Sequence, residues 1–127
     1  VMQTFLPGTP YILGLDIETP LRKCIENNWP FSLATDFNPN CRTLSIPFVG
    51  SLATHRLGLS PMEALVAVTR NPATTLLNST TGQVTGSIRE GGPADLLLLD
   101  SQYIDAWCQM PGDNPIFKTI KSGDIVN

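Results

Sequence analysis

Helical and strand periods take turns along this chain. Leu21, Cys24 and Ile25 fall on one face at helical spacing, Asn28 continues it, and together they predict a helix over residues 20–28. Pro20 suits the first turn, where its missing N–H would have no partner anyway, and Asn27, Asn28 and Pro30 stop the helix. The mostly apolar run 31–35 reads as a short strand that ends abruptly in Asp36-Phe37-Asn38-Pro39-Asn40. Upstream, residues 4–6 read as another short strand, running into a loop marked by Pro7, Gly8, Pro10 and Gly14. A helix followed by a strand is half of an α/β unit, and its neighbours are strands.

Leu44, Phe48 and Leu52 recur at four-residue spacing with Val49 beside them, which predicts a second helix over 43–57 with Pro47 in its first turn. Gly58 is placed to end it in a left-handed conformation. Ser60-Pro61-Met62-Glu63 has the form of a capping box, opening a third helix whose buried face is Met62, Leu65, Val66 and Thr69. Asn71-Pro72, cap then proline, restarts a fourth helix through Leu77. Beyond Asn78 the composition turns to glycine, serine and threonine, and Gly86, Gly91 and Gly92 read as turn residues with positive φ. Residues 94–100 form an apolar strand bracketed by Asp95 and Asp100. Residues 101–115 are ambiguous, with a helical turn possible within 103–110. Two strands, 116–121 and 124–126, flank the Ser122-Gly123 turn. The fold class is α/β: two short parallel strands with helices outside them over residues 1–77, then a small β zone over 78–127.

Composition narrows what such a chain does. Its 127 residues are too few for a complete (β/α)₈ barrel, which needs about 250, and Val1 stands in mid-pattern, so a piece of a larger protein is expected. Eight basic against eleven acidic residues give a net charge of −3, which offers no surface for nucleic acid or an anionic membrane. No apolar run reaches the roughly 18 residues of a membrane span, and no basic N-terminal region marks a signal peptide. Charged residues make up only 15% and mean hydropathy is +0.05, so part of the surface is expected to be covered. Cys24, Cys41 and Cys108 are odd in number and form no C-x-x-C pair, which favours reduced cytosolic thiols over a disulfide framework or a cysteine zinc site.

Taken alone, Asp36 draws two readings. An acid at the C-terminal end of an apolar strand stands where barrel enzymes keep catalytic groups; the plainer reading is an Asx-turn opening a loop. Asn38-Pro39 is a turn signal before it is a ligand pair. His55, near the centre of the apolar face of the second helix, reads as a structural histidine rather than a metal ligand. Cys41 has no histidine close in sequence to make it a nucleophile. No phosphate-binding glycine loop is present, because Gly91-Gly92 is followed by proline and has no lysine partner.

Two stretches together resemble a known family. Leu33-Ala34-Thr35-Asp36-Phe37-Asn38-Pro39 with Leu44-Ser45-Ile46-Pro47 is similar to the last barrel strand and following loop of imidazolonepropionases, metal-dependent hydrolases of the amidohydrolase superfamily. Residues 60–77 and the run from Gly86 to Leu96 resemble the superfamily's C-terminal part, where the chain leaves the barrel for a small β-sandwich. Ile120-Lys121-Ser122-Gly123-Asp124-Ile125-Val126 looks like its closing hairpin, and Leu6-Pro7-Gly8 fits the preceding strand end. The resemblance implies the C-terminal part of a (β/α)₈ barrel (1–77) and strands of a β-sandwich (78–127), from a cytoplasmic, homodimeric enzyme that opens 4-imidazolone-5-propanoate to N-formimidoyl-L-glutamate with one zinc or iron ion. It makes Asp36 a metal ligand and catalytic carboxylate. It makes Asn38 a substrate contact, with Asn40 and Cys41 standing where many members have glycine and a hydroxyl residue. Asparagine keeps a backbone N–H and accepts positive φ, whereas a thiol donates more weakly than a hydroxyl. The family's metal histidines and acid–base groups lie on earlier strands, so this chain alone is expected to be inactive. The alternatives are another amidohydrolase, such as a nucleobase deaminase or cyclic amidase, and a non-catalytic module packed on a partner chain.

Overall fold

A computed structural model describes residues 1–17, 19–76 and 85–127. Strand β1 (Gln3–Phe5) leads through helix α1 (Gly8–Ile12) to helix α2 (Leu21–Glu26) and strand β2 (Phe31–Leu33). The two strands pair in parallel, Gln3 opposite Phe31 and Phe5 opposite Leu33, with a hydroxyl pair, Thr4 Oγ1 to Ser32 Oγ at 2.7 Å, across the middle. All three β2 residues are buried. Phe31 meets Phe5 edge to face at 6.0 Å, and the parallel crossover runs through α2, which buries Leu21 and Cys24. The N-terminal stretch read as a loop holds α1. Pro7 and Pro10 are tolerated there because the first turn of a helix has no intrahelical partner for its N–H groups.

The longest helix, α3 (Ile46–Leu57), starts where Ser45 Oγ accepts the Phe48 N–H at 3.1 Å, and ends at Gly58, φ +70°. Helix α4 (Pro61–Val68) carries the predicted capping box: Ser60 Oγ accepts the Glu63 N–H, and Glu63 Oε2 accepts the Ser60 N–H at 2.7 Å. Their buried faces differ from the expected ones. In α4 the buried residues are Ala64 and Ala67, while Met62 and Thr69 are exposed and Leu65 and Val66 half-buried. Small side chains let α4 approach β2 and α3, leaving the larger ones at the rim. In α3 the buried residues are Val49 to Ala53. Leu44 precedes the helix and is exposed, so the true face is rotated and His55 lies in the open last turn, correcting the buried reading.

Helix α5 (Arg70–Ala73) continues into a 3-10 turn, Thr74–Leu76; Leu77 lies outside the described residues. Asn71 is not a cap, because α5 resumes at once after Thr69 and leaves no extended residue before it. Its Nδ2 instead donates to the Phe31 carbonyl at 2.7 Å, fastening α5 to the start of β2.

The rest of the described chain builds an antiparallel sheet of β3 (Leu96–Leu99), β4 (Ile116–Lys121) and β5 (Asp124–Ile125) in that order. Ser122 and Gly123 both take positive φ in the β4–β5 turn, as a two-residue hairpin requires. Asp95 fixes that turn, accepting from Lys121 Nζ at 2.6 Å and the Ser122 N–H at 2.9 Å, and these bonds hold its carboxyl below the usual range. Gly91 has the positive φ expected of it, whereas Gly92 does not.

Between β3 and β4, helix α6 (Ala106–Gln109) sends Trp107 and Cys108 into the core formed by α2, α3, α4 and β2. Trp107 packs against Gly50: a Cβ there would stand 2.6 Å from its Cζ3 and 2.8 Å from Cys108 Cβ. The indole Nε1 donates to the Pro61 carbonyl at 3.2 Å, and Ser51 Oγ donates to the Cys108 carbonyl. Burial pushes the Cys108 thiol above its usual range, which keeps it protonated.

Gly50→Ala should destabilise the protein by about 1–3 kcal/mol through overpacking, read as a lower urea midpoint with unchanged slope; an unchanged midpoint would show that α6 can retreat. The Ser60 N–H, more than any other contact, holds the Glu63 carboxyl below its ordinary 4.5. A lowered carboxyl contributes stability that is complete above the unfolded value and lost as pH falls through the folded one. Urea midpoints of the native protein and Glu63→Gln should therefore differ at neutral pH and converge below 4.5; a gap unchanged at about pH 3 refutes this.

Candidate active site

Parallel pairing brings the C-terminal ends of β1 and β2 to one edge of the sheet. Ladder pairing continues one step past β2, from the Ala34 N–H to the Phe5 carbonyl at 3.2 Å. The chain then rises through half-buried Thr35 to exposed Asp36, whose φ is +49°. A left-handed conformation costs an ordinary L-residue roughly 1–2 kcal/mol, and aspartate and asparagine bear it best.

Asn38 holds that conformation. Its Nδ2 lies 2.6 Å from the Asp36 carbonyl, 3.1 Å from Asp36 Oδ2 and 2.8 Å from Thr9 Oγ1. Its Oδ1 accepts the N–H groups of Asn40 at 2.9 Å and Cys41 at 3.3 Å. Reciprocal backbone bonds between Asn38 and Cys41 close the loop. The turn-forming side chain is thus Asn38, not Asp36. Asp36 Oδ1 faces no donor among the described residues, which leaves one carboxylate oxygen for something else.

Asn40 is exposed, but its N–H is taken by Asn38, and the positive φ that asparagine tolerates is not used there; in this loop it is Asp36 that is left-handed. Cys41 is 2% exposed. Its Sγ lies under Gly8, where a Cβ would come within 3.0 Å, so the thiol packs against the β1–α1 turn instead of facing outward. The structure therefore brings Asp36, Asn38 and Asn40 together at the rim and puts Cys41 beneath them. The sequence reading stopped at Gly8 and missed Thr9; a hydroxyl residue one step past a Pro-Gly strand end was the available signal.

Among the described residues no group of three or more His, Cys, Asp or Glu side chains could hold a metal ion. An exposed carboxylate with one free oxygen fits a single ligand of a metal site and no more. An apolar groove of 310 Å³ lined by Cys24, Trp29, Phe31, Met62 and Val66 lies at the opposite, N-terminal end of β2. No helix among the described residues is long and apolar enough to cross a membrane.

Solved structures share this fold. Ochratoxinase of A. niger superposes with a TM-score of 0.70 at 19% identity, over 98% of this chain and 31% of that one. Guanine deaminase of E. coli gives 0.65, also at 19% identity, over 98% and 33%. These likenesses define the class, an α/β fold of the kind those two proteins contain. The amidohydrolase family profile matches residues 5–127, and the chain belongs to that family. Curated relatives include the imidazolonepropionase of Haloarcula marismortui, 36% identical over the whole chain, and that of Bacillus cytotoxicus, 41% identical over 79% of it. This chain spans 29% of the length of the first and 23% of the second.

Asn38→Ala removes the acceptor of the Asn40 N–H, one of the two acceptors of the Cys41 N–H and the donor to Thr9, and should cost about 1–3 kcal/mol. Hydrogen exchange is the direct check: the Asn40 amide should exchange faster than in the native protein, the Cys41 amide less so because it keeps the Asn38 carbonyl, and those of β2 should be unchanged.

Proposed function

We propose that this chain is the C-terminal part of an imidazolonepropionase, a hydrolase of histidine degradation that converts 4-imidazolone-5-propanoate to N-formimidoyl-L-glutamate. The observation that carries this reading is identity of 33–41% to imidazolonepropionases along 79% or more of the chain. The Asp36–Asn38 loop at the end of a parallel strand supports it. On this reading residues 1–77 are the last strands and helices of a (β/α)₈ barrel and 78–127 belong to a β-sandwich. The rest of the protein covers the open strand edges, and the whole enzyme is a homodimer. Three free thiols accord with a cytoplasmic location. The fold likeness to a deaminase carries no substrate with it.

Hydrolysis adds water across a ring C–N bond, the hydroxyl going to the carbonyl carbon and the hydrogen to the ring nitrogen. Asp36 Oδ1 is the oxygen free to serve as a ligand of a zinc or iron ion, with Oδ2 restrained by Asn38. Such an ion, when bound, supplies Lewis acidity that eases the deprotonation of water at neutral pH. On this reading Asn38 and the exposed Asn40 stand on the side from which substrate approaches. A catalytic zinc site takes three protein ligands, so the remaining ligands and the acid–base groups belong to the rest of the enzyme, and the 127 residues alone are inactive.

In the full-length protein Asp36→Ala should lower imidazolone turnover by at least about a hundredfold and reduce bound metal. The isolated 127-residue chain should show no turnover with added zinc or iron. Full activity of Asp36→Ala, or metal-dependent turnover by the isolated chain, would each refute this reading.

A further inference from the structure

Asp36 and Asn38 lie on one loop, so their mutual bonds shape the loop without fixing it to anything else. The side-chain link from this pair to another element is the bond from Asn38 Nδ2 to Thr9 Oγ1, 29 residues away and 2.8 Å long. Thr9 is itself well placed to serve as an anchor. It is half-buried, follows two buried residues, Pro7 and Gly8, and sits in the first turn of α1. Gly8 lies close to Cys41 Sγ and to the Thr35 carbonyl. Two residues further on, the Tyr11 ring meets Phe48 of α3 edge to face at 5.7 Å. The Thr9 hydroxyl is thus referenced to the end of β1 and to α3, both outside the Asp36 loop.

We propose that Thr9 is a positioning residue of the active site: its hydroxyl accepts from the Asn38 carboxamide, which in turn holds the backbone and one carboxylate oxygen of Asp36, so that the free Asp36 oxygen keeps one direction. This rests on the reading of Asp36 as a metal ligand given above. Without Thr9 the Asp36–Asn38 pair keeps its internal bonds and the seat of Cys41 but loses its side-chain tether, and the direction of Asp36 loosens. A ligand that swings binds its ion more weakly, because ordering it then costs free energy at the moment of binding. Outer partners that orient a ligand typically change metal affinity by 10–100-fold; Thr9, one step further out, belongs at the lower end.

The test uses the full-length protein with Thr9→Val, which keeps the shape and deletes the hydroxyl, and Thr9→Ser, which keeps the hydroxyl. Two quantities are read: zinc affinity of the metal-free protein, and hydrogen exchange of the Asn38 side-chain amide in protein made with isotope-labelled asparagine. Asn38→Asp and Asn40→Asp assign the signals, and the exposed Asn40 amide is the internal reference. Thr9→Val should weaken zinc binding roughly tenfold and speed exchange at Asn38, and Thr9→Ser should restore both. No change in Thr9→Val, or equal damage in Thr9→Ser, overturns the proposal, the latter because a methyl contact would then be what matters. Should Thr9→Val not fold, an Asn38 amide in the native protein that exchanges as fast as that of Asn40 overturns it. Should Asp36→Ala bind zinc as the native protein does, the ligand reading of Asp36 fails instead, and exchange at Asn38 in Thr9→Val alone decides the role of Thr9.

Discussion

Parallel pairing of two three-residue strands is the constraint on which the site depends. Parallel strands cannot be joined by a tight turn, so the chain must cross back over the sheet, and α2 with its buried Leu21 and Cys24 is that crossover. Both strands then finish at the same edge, and whatever follows each is delivered to one place. Pro7, Gly8 and Thr9 follow β1, and the loop from Asp36 to Cys41 follows β2. A register shift of one residue would turn buried Phe31 and Leu33 to the opposite face and exchange them with Ser32. The edge-to-face contact of Phe5 and Phe31 and the Thr4–Ser32 hydroxyl pair oppose such a slip.

At that edge a single carboxamide satisfies groups that would otherwise pull the loop apart. The left-handed Asp36 is unfavourable on local grounds, yet the turn it makes puts its carbonyl and one carboxylate oxygen on Asn38 Nδ2. Both ends of the Asn38 amide are occupied, donors toward Asp36 and Thr9 and acceptor toward Asn40 and Cys41. A strained backbone held by a fully engaged side chain is how a loop presents an unpaired acid without collapsing onto it. Burial of Cys41 under Gly8 serves the same end, because it seats the return of the loop on the first turn of α1.

Local chemistry was legible in the sequence, and tertiary direction was not. The capping box at Ser60 and Glu63, the left-handed stop at Gly58 and the Ser122-Gly123 hairpin all follow from the chemistry of residues close by in sequence. Asp36 was legible as an acid past a strand end. Asn71 reads as a cap because asparagine before proline usually is one, but its partner, the Phe31 carbonyl, is forty residues distant in sequence. His55 was misplaced because the four-residue spacing from Leu44 defined a face for a helix that begins only at Ile46. The burial of Ala64 and Ala67 was hidden because small residues give a weak hydrophobic signal while permitting the closest approach. Thr9 escaped for the same reason as Asn71: its partner is remote, and the one local signal, a hydroxyl residue just past a Pro-Gly strand end, does not name that partner.

The seating of Trp107 on Gly50 also has a temporal side. Ser51 and Cys108, joined at this contact, are 57 residues apart. A ribosome releases α3 well before the indole that covers it, so a growing chain carries a bare glycine flank until α6 has emerged. Domains in general fold as units during synthesis, and surfaces left open in the meantime are where chains stick to one another. The last stretch of this chain therefore decides when its first stretch becomes safe to leave unattended.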